Sequence, residues 1–123
     1  MVILDTNSIL RFVLKDNLEM SDIVKKTINE QPCLVPIEII AELVYVLTKV
    51  YKIDRSLVSN TLKDFFEMNN INILKYEVVN FALTLFANTK LDFVDSLLIA
   101  YSKIENYDVL TFDKELNKYL LKI

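Results

Sequence analysis

Short aliphatic or β-branched runs alternate with much longer stretches of helical spacing, and this alternation limits the fold of the 123-residue chain more than any other feature. The short runs fall at residues 2–4, 34–35, 71–74 and 108–112. Between them, apolar residues recur with helical period over 8–15, 21–30, 36–51, 55–68, 77–89 and 92–105, with a short tail from Lys114. Strands separated by helices cannot form hairpins, so they pair in parallel and need helices on both faces. An α/β domain is therefore expected, with a short, mostly parallel central sheet of four or five strands and seven helices around it. No stretch reads as a linker, and one domain over 1–123 is the expectation at this length. Ser21, Pro36, Asp54 and Asp92 are read as helix starts.

The chain contains no Gly. Turns that demand positive φ must fall on other residues, and Asn69-Asn70 and Glu105-Asn106 are the expected places. Gly-rich phosphate loops and dinucleotide fingerprints are excluded with it. The absence of His removes the Ser/His/Asp triad, paired-imidazole ribonuclease chemistry and His-ligated zinc. The lone Cys33 sits in an apolar stretch and reads as a buried, inert thiol. Any enzymatic chemistry must then come from carboxylates, Lys, Tyr, hydroxyls or a bound metal. A net charge of −3 argues against nucleic-acid binding through the overall field. The first residues meet Asp5 at once, with no basic leader and apolar run, and no apolar stretch approaches bilayer length. A cytoplasmic protein with no membrane partner is expected.

In open α/β sheets, sites form beyond the carboxyl ends of strands. Asp5 and Asp113 each end an expected strand, although Asp at a strand-to-helix junction also serves as a helix cap. Asp95 lies in a segment apolar nearly all round, Leu91-Asp92-Phe93-Val94-Asp95-Ser96-Leu97-Leu98. A buried carboxylate there is costly unless paired or bound to a cation, whereas Asp92 is explained as the helix cap. On the 36–51 helix, Ile40, Leu43, Val44, Leu47 and Tyr51 form one stripe, and both Glu38 and Glu42 lie off it. Periodicity does not separate those two. Arg11 follows closely on Asp5, and its helix would project it toward the same crevice as an RNA contact. Phe12, Val13, Leu14, Ile40 and Tyr45 suit either a docking surface or the core.

If Asp5, Glu42, Asp95 and Asp113 converged, each close pair would repel by roughly 3 to 4 kcal/mol at an effective dielectric near 20. Such a cluster needs cations, and oxygen-only ligands suit Mg²⁺ or Mn²⁺. A metal so held can lower the pKa of an attacking water and stabilise a departing oxygen in phosphoryl transfer. That chemistry needs no His.

Leu4-Asp5-Thr6-Asn7, Ala41-Glu42-Leu43, the run from Asp92 to Leu98 and Leu110-Thr111-Phe112-Asp113 together resemble the PIN-domain ribonucleases, and among them the VapC toxins of prokaryotic toxin–antitoxin pairs. The resemblance runs from end to end of the chain in order, spacing and length. It implies a single PIN-like domain in which Asp5, Glu42, Asp95 and Asp113 are the catalytic, metal-binding set. Thr6, Asn7, Asp92 and Thr111 would support that set. It also raises Glu42 above Glu38, and it implies a Mg²⁺- or Mn²⁺-dependent endoribonuclease that acts as a homodimer on RNA and is silenced by a cognate antitoxin. A haloacid-dehalogenase-type phosphatase would need an acidic residue where this chain has Asn7. The remaining alternative is a PIN fold that binds RNA or assembles without cutting.

Overall fold

The computed structural model describes residues 1–121, and the chain divides into two compact units, Met1–Leu74 and the part from Lys75 onward. In the first unit β1 (Val2–Ile3) leads into α1 (Thr6–Leu14) and α2 (Leu18–Glu30). β2 (Cys33–Leu34) is followed by α3 (Ile37–Tyr45), whose axis continues as a π-helical turn over Val46–Val50. α4 (Arg55–Phe66) and β3 (Ile71–Asn72) complete the unit.

The three strands are parallel in the order β1-β2-β3, with Val2 opposite Cys33 and Cys33 opposite Ile71. They are only two residues long, and the ladder is extended by bonds just outside them. Leu4 N–H donates to Leu34 O at 3.0 Å and Val35 N–H donates to Asn72 O at 3.1 Å. Cys33 and Val35 are fully buried among Ile9, Ile28, Ile40, Leu43, Leu47 and Leu62. Cys33 is thus the inert thiol expected, and burial pushes its pKa up.

The second unit holds α5 (Tyr76–Asn88), α6 (Phe93–Glu105) and α7 (Lys114–Leu121). α5 and α6 pack together, and Val78, Ala82 and Leu83 of α5 and Ile99 and Ala100 of α6 are buried. α7 closes a smaller core in which Leu116 meets Leu91 and Ile99. Seven α-helices are present among the described residues, as expected, but three strands rather than four or five. Residues 108–112 form no strand: Leu110 is 89% and Phe112 94% exposed, so alternate apolar side chains of the run are not buried. A β-prone run becomes a strand only when a ladder and a buried face reward it.

The 36–51 helix is not uniform. Tyr51 N–H reaches back to Val46 O at 3.1 Å, an i to i−5 bond, and Ile53 N–H donates to Leu47 O at 3.0 Å. Thr48 Oγ1 donates to both Val44 O and Tyr45 O, offering those carbonyls a side-chain partner at the point where the α-helical ladder gives way. α2 begins earlier than Ser21 suggested, because Asn17 accepts from Met20 N–H at 3.0 Å and caps Leu18.

Positive φ occurs at Lys15, Lys52, Asn70, Lys75 and Asn106. The two asparagines lie where the sequence placed turns. Asn70 is also anchored, since its Nδ2 donates to Ile28 O at 2.9 Å.

Candidate active site

Three of the four aspartates singled out by sequence cap helices. Asp5 Oδ1 accepts from Ser8 N–H at 2.8 Å at the start of α1, Asp92 Oδ1 from Asp95 N–H at 2.8 Å at the start of α6, and Asp113 Oδ1 from Leu116 N–H at 2.9 Å at the start of α7. Each cap uses one carboxylate oxygen, so Oδ2 remains able to face a cation. Capping and metal binding are therefore compatible in one side chain.

Asp5 follows β1 directly, with extended backbone that turns the chain into α1. The Ser8 backbone and side-chain hydrogen bonds hold its carboxyl below the ordinary value of 3.8 against a smaller opposing effect of burial. Its charged form is satisfied. Thr6, in the next position, is buried, and its Oγ1 has no hydrogen-bond partner among the described residues. Asn7 is exposed in the first turn of α1. Glu42 and Glu38 are both exposed on α3, which leaves the two glutamates as alike in surroundings as they are in periodicity.

In the second unit the electrostatics reverse. Asp95 sits in the first turn of α6, beside buried Phe93, Ser96 and Leu97, and is itself half-buried. Burial raises its pKa above 3.8, and the negative charges of Asp92, Asp113 and Glu115 raise it further. The fold thus brings Asp92 and Asp113 within electrostatic reach of Asp95. It adds Glu115, which the sequence reading passed over. Glu115 stands two residues after Asp113 in the first turn of α7, and the helical reading of the tail from Lys114 does not by itself mark it as a site residue. Thr111 Oγ1 accepts from Asp113 N–H at 3.1 Å, and Asn117 Nδ2 donates to Thr111 O at 3.0 Å, so the turn that presents Asp113 is tied at both ends.

Arg11 does not extend freely. Its Nη1 pairs with Asp16 at 3.0 Å and its Nη2 donates to the Tyr51 hydroxyl at 3.2 Å, with the side chain 19% exposed. Of the apolar residues on the early helices, Ile40 is fully buried, Phe12 packs on Phe65 with ring centroids 5.5 Å apart, and Tyr45 is 62% exposed.

Among the described residues, no group of three or more Asp, Glu or Cys side chains is gathered so as to hold a metal ion unaided. The donor chemistry nevertheless fits a hard divalent cation. The candidate donors are carboxylate oxygens, and the burial and neighbouring negative charge that disfavour ionised Asp95 are what a cation would offset. No helix among the described residues is long and apolar enough to cross a membrane.

Short parallel strands that run into helices, with Asp5 at the first junction, define an α/β protein. The PIN domain family matches residues 2–119, and the chain belongs to that family. PIN domains are generally nucleases and typically use divalent metals. No curated protein and no solved structure matches the chain.

Proposed function

We propose that this protein is a Mg²⁺- or Mn²⁺-dependent endoribonuclease and the toxin component of a type II toxin–antitoxin pair. The observation that carries the reading is Asp95, a half-buried carboxylate held above its ordinary pKa by burial and by three neighbouring acids in a PIN-family chain. An arrangement that raises the free energy of its own charged state serves stability poorly and serves cation binding well.

In this reading Asp5, Glu42, Asp95 and Asp113 are the residues that would hold the metal, which when bound would supply an activated water and stabilise charge on the leaving oxygen. The residues divide the remaining work. Ser8 keeps Asp5 ionised, Thr111 and Asn117 fix the turn that presents Asp113, and Asp92 braces the first turn of α6 from which Asp95 projects. Thr6 and Asn7 follow Asp5 in the first turn of α1. RNA, a second copy of the chain and an antitoxin are the proposed partners, and the cytoplasm the proposed compartment. Cleavage of RNA that requires Mg²⁺ or Mn²⁺, stops with chelator and is lost in Asp95→Asn tests the proposal. Binding of RNA without cleavage would favour the non-catalytic alternative.

A further inference from the structure

We infer that the groove at the C-terminal half of α6, with Lys75 beside it, is a subsite for one unpaired nucleotide of RNA, whose base stacks on Tyr107 and whose phosphate meets the Lys75 ammonium. The identity of the nucleic acid rests on the proposed function.

All of the parts lie in the second unit. α6 ends at Glu105, and Asn106 takes φ of 60°, turning the chain so that Tyr107 lies on Tyr101. The two rings are stacked, with centroids 6.3 Å apart and planes 24° from parallel. Tyr101 is half-buried, whereas Tyr107 is 55% exposed and keeps a ring face for a ligand. Together with Leu98, Asp108, Val109 and Leu110 the tyrosines line a groove of about 470 Å³, a size in the range of small-ligand sites. Leu98 is the i+3 neighbour of Asp95 on α6, so the groove begins one helical turn from that carboxylate. At its other end Leu110 and Phe112, both exposed, lead along the chain to Asp113.

Lys75 brings the positive charge. It occupies the N-cap of α5, where Ser, Thr, Asp or Asn would bond the helix end. Its side chain makes no cap bond, and its backbone is left-handed, with φ of 57°. A lysine holds that conformation only where the surrounding structure imposes it. Its Nζ instead donates to Glu105 Oε1 at 2.9 Å, at the end of α6. The Glu105 hydrogen bond and charge raise the pKa of Lys75, and Tyr107 and Tyr101 add to the rise, so the ammonium stands within electrostatic reach of both tyrosines. An ammonium has three donors, and the Glu105 bond uses one.

This combination selects among ligands. A chain of net charge −3 does not hold RNA by its overall field, so binding needs stacking and a well-placed cation. Unpaired bases of any identity stack on an exposed aromatic ring, and single-stranded RNA is recognised in that way. A tyrosine backed by a second ring and flanked by an ammonium supplies both contacts for one nucleotide. Asp108, the charged residue in the lining, keeps phosphate and acidic peptides out of the groove itself and suits a base amino group. A protein partner would be served by the apolar lining alone and gives no role to a lysine held against its backbone preference.

The test uses the full-length protein with chelator in place of metal, so that RNA is bound and not cut. Binding of a fluorescein-labelled, single-stranded RNA of mixed sequence is read by anisotropy at several salt concentrations. Tyr107→Ala should weaken binding about tenfold, within the range for loss of one stacked base, and Tyr107→Trp should retain it. Lys75→Asn places a residue that tolerates the left-handed backbone. It should weaken binding and reduce the slope of log affinity against log salt by about 0.7, the share of one phosphate in a single strand. Tyr107→Ala should leave that slope unchanged. Lys90→Ala, at an exposed lysine of the same unit, is the control and should change neither quantity.

Wild-type affinity and salt slope in both Tyr107→Ala and Lys75→Asn, or no RNA binding by the wild type, would overturn the subsite. A changed oligomeric state by light scattering, with RNA affinity unaltered, would overturn it too and assign the face to a protein partner. The proposed function fails separately. RNA that is held through Tyr107 and Lys75 but stays intact when Mg²⁺ or Mn²⁺ is supplied removes the nuclease reading and leaves the subsite standing.

Discussion

Asp5 caps α1 and Asp95 lies in the first turn of α6, and their surroundings treat the same charge in opposite ways. Asp5 accepts hydrogen bonds from Ser8, and its carboxyl is held below the ordinary value. Asp95 receives no comparable compensation. Burial and the acids Asp92, Asp113 and Glu115 hold it above that value. In Asp5, local structure has absorbed the cost of the charge, so the residue supports folding as well as any chemistry. In Asp95 the cost remains open, and a bound cation is the natural means of closing it. A carboxylate that caps and one that strains are thus separable by experiment.

The largest expected effect is catalytic. Asp5→Asn and Asp95→Asn should each lower RNA cleavage by about a thousandfold, since a metal supplies several kcal/mol of charge stabilisation at the reacting phosphate. Loss in both would make both carboxylates necessary for cleavage. Loss in Asp95→Asn alone would reduce Asp5 to its cap.

Next comes the response to metal. Millimolar Mg²⁺ or Mn²⁺ should raise the wild-type melting temperature by mass action, and Asp95→Asn should abolish the rise. Without metal, Asp95→Asn should melt at or above the wild-type temperature because it removes repulsion. Asp5→Ala should instead lose about 1 kcal/mol, the value of a helix cap, while Asp5→Asn retains the cap and loses less. Scanning calorimetry of the three apo variants reads this directly. A marked destabilisation in apo Asp95→Asn would make Asp95 a structural residue.

The pH dependence should carry opposite signs at the two sites. Because the folded pKa of Asp95 is raised, its charge opposes folding at neutral pH. That penalty is relieved as pH falls through the raised value toward 3.8. The stability advantage of apo Asp95→Asn over wild type should therefore be greatest at neutral pH and shrink on acidification. Asp5 is the reverse: its contribution is present above 3.8 and is lost as pH falls through its lowered folded value. The cap advantage of wild type over Asp5→Ala should persist to lower pH than any effect at Asp95.

The smallest effect concerns the turns. Lys52 has φ of 55° in a chain without glycine, and Lys52→Gly should stabilise the fold by about 0.5 to 1 kcal/mol by relieving the Cβ clash. Asn106→Gly should gain less, since Asn tolerates that conformation.

The helices were legible in the sequence because their apolar spacing extends over several turns, and Asp54 and Asp92 mark their starts where expected. Asn70 and Asn106 were legible as left-handed residues for the same local reason. Lys15, Lys52 and Lys75 were not, because lysine has no preference for that conformation and only the surrounding fold imposes it. The π-helical turn also escaped. It depends on Thr48 and on the closing bonds from Tyr51 and Ile53, and none of these leaves a periodic trace. At the site, composition and position singled out Asp5, Asp95 and Asp113, whereas the raised pKa of Asp95 and the part of Glu115 needed three dimensions. The bond from Arg11 to Tyr51, forty residues away, leaves no trace in the sequence.

The central claim is that the acidic set hydrolyses RNA with a divalent metal. A mixed RNA pool that includes tRNA, incubated with Mg²⁺, Mn²⁺ or chelator, tests it most directly when wild type, Asp5→Asn and Asp95→Asn are compared side by side. Metal-dependent fragments from the wild type that vanish with chelator and in both variants are predicted. Fragments that persist in chelator or in Asp95→Asn, or no fragments from folded wild type with either metal, would contradict the claim.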